Sequence, residues 1–155
     1  MLILGIDPGI SNTGYGILDY SSNKISLIDY GIISTSAKEK NNERLFFLFN
    51  QINILLDKFS PDHSAIEEAF YGKNIKSTMV LSQARAVINL AFTIKKIPFH
   101  EYSPKKIKMS VVGNGNASKE QVKYMVSSIL SLKIKKEKFD VYDALAIAIC
   151  HIHQI

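Results

Sequence analysis

Residues 4–17, LGIDPGISNTGYGI, run as an apolar strand that carries one charge, Asp7, and break at once into Pro8-Gly9. Asp-Pro-Gly is good turn chemistry, since Asp can hydrogen-bond its own loop. A carboxylate ending a buried strand is also costly unless something pairs with it. Asp7 therefore has two readings, a turn residue or part of a site. Past the turn come a second apolar run, GYGILDY, then Ser21-Ser22-Asn23, then a third, KISLIDYGIIST. Connections this short predict an antiparallel three-strand meander.

Beyond the meander the pattern changes period. Leu45, Leu48, Phe49, Ile52, Leu55, Leu56 and Phe59 recur at helical spacing until Ser60-Pro61 stops them. HSAIEEAF predicts a fourth strand, KNIKSTMVLSQARAVINLAFTIKK a second long helix, and IPFHEY a short fifth strand. Ser103-Pro104 reads as the N-cap and first-turn proline of a further helix. The run Ser118-Lys119-Glu120-Gln121 is a capping-box signature, and FDVYDALAIAICHIHQ is the last helix. The order β-β-β-α-β-α-β followed by helices predicts an α/β fold, a five-stranded mixed sheet flanked by helices. No composition shift marks a boundary, so residues 1–155 read as one domain; the Lys-rich 133–138 segment is too short to separate two cores.

With 46% apolar residues and 21% charged ones over 155 positions, the chain has the composition of a packed globule. It lacks an apolar run of membrane-spanning length and a secretory leader, and its one cysteine, Cys150, excludes an internal disulfide. These features suit a reducing cytoplasm. The net charge of +5 is uneven: residues 1–77 hold 7 Lys and Arg against 9 Asp and Glu, while residues 78–155 hold 12 against 5. A basic half attracts polyanions.

Three places hold acids where apolar residues belong. Asp7 ends a buried strand, Glu67-Glu68 interrupts another, and Asp140 and Asp143 open a helix whose residues 144–150 have no charged or amide side chain. Asp140 and Asp143, three apart, share a helix face, although Asp140 could equally be an N-cap. Only one of Glu67 and Glu68 can face a given side of a sheet. Were these carboxylates to converge, their repulsion would demand a cation, and a ligand set of oxygens alone suits Mg²⁺ or Mn²⁺.

In order and spacing, LGIDPG…TGYG, AIEEAF…KN, SQARAV, KKIKMSVVGNG…SKEQV and DVYDALAIAICHIH resemble the bacterial RuvC family of Holliday junction resolvases over essentially the whole chain. The resemblance implies a ribonuclease H-like fold and catalytic, metal-binding carboxylates at Asp7, Glu67, Asp140 and Asp143, choosing Glu67 over Glu68. It implies Mg²⁺-dependent hydrolysis of two phosphodiesters placed symmetrically on a four-way DNA junction, with two ions per site, Mn²⁺ able to substitute, and 5′-phosphate products. Two cuts need two sites, hence a homodimer built around the second long helix, working in the bacterial cytoplasm with the RuvA-RuvB branch-migration machinery. A non-catalytic junction binder and a related nuclease for other nucleic acids are the alternatives.

The same resemblance assigns Phe70 to stacking or wedging at a junction base, and Lys108 and Lys119 to contacts with DNA or the catalytic phosphate. Lys73, Lys76, Arg85, Lys105 and Lys106 are expected backbone contacts. The glycines at 9, 14 and 16 are expected to let a DNA backbone approach closely. GNGN at 113–116 reads as a flexible loop near DNA. His151 and His153 read as helix-end residues and not as metal ligands, and His63 and His100 carry no signal.

Overall fold

A computed structural model describes residues 1–69, 72–132 and 137–155. Three strands come first, β1 (Leu2–Asp7), β2 (Asn12–Ser21) and β3 (Lys24–Ser34), then helix α1 (Asn41–Phe59), strand β4 (His63–Glu67), helix α2 (Ile75–Ile94) and strand β5 (Phe99–Tyr102). Helices α3 (Pro104–Val112), α4 (Lys119–Ile129) and α5 (Phe139–Ile152) complete the described elements. The sheet order is β3-β2-β1-β4-β5. The meander pairs antiparallel, whereas β1–β4 and β4–β5 pair parallel, as helical crossovers require. The fourth strand is shorter than expected: pairing ends where Glu67 meets Tyr102.

Period-two alternation sorts the sheet into two faces. Leu4, Ile6, Ile17 and Ile66 pack against Leu48, Ile52, Ile88 and Phe92 of α1 and α2. Ile3, Leu18, Ala65 and Tyr102 pack against α3, α4 and above all α5, where residues 144–150 are all buried. Among the described residues no helix is long and apolar enough to cross a membrane.

Helix α5 lies on the sheet at unusually close range. A Cβ on Gly5 would stand 2.2 Å from the Ala144 carbonyl oxygen, and one on Gly14 would stand 2.1 Å from that of Asp140. The expectation that strand glycines admit a DNA backbone is therefore corrected: Gly14 admits a helix backbone. Gly16 meets the Leu145 side chain, and Gly9 closes the turn against the Asn12 carbonyl. The predicted caps are present, with Ser103 accepting from the Lys106 amide and Ser118 forming a capping box with Gln121. GNGN is a tied turn, Asn114 accepting from the amides of Asn116 and Ala117, and Ala117 is buried.

Candidate active site

Asp7 is the last residue of β1, where Pro8 ends the ladder. Ile6 is in register with Ile66, so Asp7 and Glu67 take the next rung of adjacent parallel strands, about 4.8 Å apart. Both follow Ile3 and Ala65 at even spacing and so face α5. Glu68 is exposed and is absent from the cleft that Asp7 and Glu67 share with Asp143; it lines a smaller neighbouring one with Pro8, Leu81 and Arg85.

The N-terminal end of α5 closes over this rung. Lys138 occupies the N-cap position, so Asp140 is not a cap; its backbone abuts Gly14, the cross-strand partner of Asp7. One turn on, Asp143 lines the main cleft with Asp7, Glu67, Lys108 and Lys119, over a floor that includes Ile107, Val122 and Ile147. Asp140 is outside that lining, yet its charge acts on both Asp7 and Asp143. Among the described residues these carboxylates do not form a compact three-ligand group of the kind that holds a single ion.

Electrostatics show what the arrangement lacks. The Asp7 carboxyl is pushed up to about 8, first by burial and then by Asp143, Glu67 and Asp140. Glu67 is raised by burial and by Asp143, against the opposing pull of Lys119, Lys108 and Arg85. Lys119 Nζ lies 3.3 Å from Asp143 Oδ2, and that carboxylate holds the ammonium above its ordinary range. Asp143 is nevertheless raised, because burial, with Asp140 beside it, outweighs the pull of Lys119 and Lys108. Two ammoniums do not neutralise four acids, and the donor set is all oxygen. That combination fits hard divalent cations such as Mg²⁺ or Mn²⁺.

The expected basic residues separate into groups. Lys108 on α3 and Lys119 at the first turn of α4 flank the carboxylates. Lys105 and Lys106 are exposed on the first turn of α3, Lys106 lying over the Tyr102 ring, and Lys73 and Lys76 are exposed around the start of α2. Arg85 is the correction: it is buried, donates to the Glu67 carbonyl and pairs with Glu101 at 2.8 Å. Its guanidinium is committed inside the fold and cannot meet a DNA phosphate without breaking those bonds. Phe70 lies outside the described residues.

One cluster escaped the sequence reading. His63, His100 and His151 bring ring nitrogens within 4.8 Å of one another at the far end of the same layer. A signal for it existed: His63 is four before Glu67 on one strand face, and His151 is eight after Asp143 on one helix stripe.

A mixed sheet of this order, with acids gathered at the ends of its adjacent central strands under a C-terminal helix, has the ribonuclease H-like fold. The family model described as "Crossover junction endodeoxyribonuclease RuvC" matches residues 3–151, and the chain belongs to that family. A protein of that name from Ruminiclostridium cellulolyticum is 47% identical over 97% of this chain and 91% of its own length. One from Finegoldia magna is 45% identical over 98% of this chain and 93% of its own. Among solved structures, Thermus thermophilus RuvC in complex with Holliday junction substrate superposes with a TM-score of 0.92 at 31% identity, covering 98% of this chain and 93% of that one.

Proposed function

We propose that this chain is an endonuclease that resolves four-way DNA junctions by paired, symmetric, metal-dependent phosphodiester hydrolysis during recombination and repair. The observation that carries the reading is the gathering of Asp7, Glu67 and Asp143, with the field of Asp140, beside Lys108 and Lys119 in one cleft. Membership of the family, and a relative solved with a Holliday junction, supply the substrate.

Asp7, Glu67, Asp140 and Asp143 are the residues to hold two Mg²⁺ ions, or Mn²⁺ in their place. When bound, such ions supply charge neutralisation, an activated water and stabilisation of the leaving oxygen. The chain's own part is positioning. The β1 and β4 backbones fix Asp7 and Glu67 as neighbours, and α5 brings Asp143 down from above. Lys119 enters the cleft from the first turn of α4, where free backbone amides favour an anion, so ammonium and amides together bind the scissile phosphate. Lys108 adds charge from the opposite wall, and Lys73, Lys76, Lys105 and Lys106 track the DNA backbone farther out. Phe70 is assigned to base stacking at the junction centre.

The partner in this reading is a second copy. Ile75, Met79, Leu90 and Ile94 on α2 are 75%, 59%, 52% and 56% exposed, and their spacing places them along one stripe. A two-fold dimer through that stripe matches the symmetry of a four-way junction. Cooperation with the RuvA-RuvB complex in the bacterial cytoplasm completes the proposal. The deciding experiment offers the protein a four-way junction, a duplex and a single strand with Mg²⁺. The expected result is symmetric nicks with 5′-phosphate ends in the junction alone; indifference to the junction would overturn the reading.

A further inference from the structure

Helix α5 joins two clusters, not one. From Asp143 to His151 it rises about 12 Å, and from Glu67 back to His63 strand β4 spans about 13 Å. The two elements therefore meet twice, at the carboxylates and again at His63 and His151. There His63 Nδ1 and His151 Nε2 are 2.9 Å apart. His100 joins from the edge strand β5, its ring centroid 4.5 Å from that of His151 and 5.5 Å from that of His63. On its other edge, His151 Nδ1 lies 2.8 Å from the Tyr102 hydroxyl. With Nδ1–H donating to that oxygen, the Nε2 lone pair faces His63 Nδ1.

We propose that His63, His100 and His151 form a second metal site, binding one Zn²⁺ per chain with water in the fourth position and Tyr102 as the outer partner that fixes the His151 tautomer. Three imidazole nitrogens are borderline donors, suited to Zn²⁺ and poor for Mg²⁺. Two nitrogens each about 2.0 Å from a tetrahedral Zn²⁺ stand about 3.3 Å apart, so the cluster, now within 4.8 Å, reaches ligand spacing when the stacked His63 and His100 rings turn their nitrogens onto a shared centre. Tyr102 supplies the orienting hydrogen bond that zinc-bound histidines ordinarily have. The ion would tie the C-terminal turn of α5 to β4 and β5, bracing at one end the elements that carry Asp143 and Glu67 at the other.

Zn²⁺ titrated into the metal-stripped chain, with excess Mg²⁺ present to occupy the carboxylates, tests the site by calorimetry. The expected result is one equivalent bound, with Co²⁺ in its place giving the visible absorption of a tetrahedral nitrogen site. His63→Ala and His100→Ala should weaken binding by more than about 100-fold, and Tyr102→Phe by roughly 10-fold or more. Asp7→Asn and Asp143→Asn should bind Zn²⁺ as the parent does. His100→Gln, on the edge strand, preserves size, and circular dichroism establishes that it folds. Absence of stoichiometric binding, parent-like affinity in a folded His100→Gln protein, or loss of binding in Asp7→Asn would each overturn the proposal, the last by placing the ion among the carboxylates.

Discussion

Asp7 sits where burial and three other carboxylates all oppose its charge, and its carboxyl titrates near pH 8 in consequence. The unfolded chain releases this proton near pH 3.8. Between those values the folded form holds a proton that the unfolded form has lost, so metal-free stability falls as pH rises through that window. Asp7→Asn removes the penalty. In EDTA at pH 8 it should raise stability by on the order of 2–3 kcal/mol, or Tm by roughly 5–10 °C, with the gain vanishing near pH 4. Calorimetric melts at the two pH values check this, while junction cleavage by the same variant with Mg²⁺ should be abolished and junction binding kept. Lys119→Ala should lower the cleavage rate by about 100-fold or more if its ammonium stabilises charge on the phosphate. Single-turnover assays at saturating enzyme separate that loss from weaker binding.

At the scale of elements, α5 is the part on which the site depends, and its position follows from what the strands omit. Gly5→Ala would drive a methyl into the Ala144 carbonyl at 2.2 Å, with backbone on both sides of the contact and nothing free to rotate away. The variant should lose about 3 kcal/mol or more by denaturant titration. Cleavage should fall even in the folded fraction, because Asp140 and Asp143 ride on the displaced helix. Arg85 does comparable work on the other side of the sheet, tying α2 to the Glu67 carbonyl and to Glu101. Arg85→Met should leave junction affinity within about two-fold, as a residue that meets no phosphate must, yet reduce kcat by letting Glu67 drift. Binding and cleavage titrations on one junction distinguish these outcomes.

At the scale of the whole molecule, the proposed dimer rests on the apolar stripe of α2, and the proposed hold on DNA on the basic half of the chain. Met79 and Leu90 are exposed by more than half, so Met79→Glu with Leu90→Glu should leave the fold intact while preventing assembly. Sedimentation should then show monomers, and junctions should be nicked on one strand at a time instead of resolved in pairs. The contrast between single nicks and paired cuts is the signature of a broken dimer and not of a broken site.

The order of elements, the antiparallel meander, the caps of α3 and α4 and the five acids out of place were legible in the chain as written, because turn chemistry, helix capping and hydrophobic period act over a few residues. Whether Asp7 was a turn residue or a neighbour of Glu67 was not, since that depends on the register of two strands some sixty residues apart. Gly14 was expected to admit a DNA backbone and is a contact point for a helix; Arg85 was expected to meet the DNA backbone and is an internal tie. The three histidines are separated by 37 and 51 positions and carry no local pattern among themselves. Local preference names the elements, but only long-range packing brings β4, β5 and the end of α5 to one place, and burial there changes what each charged or polar side chain can do.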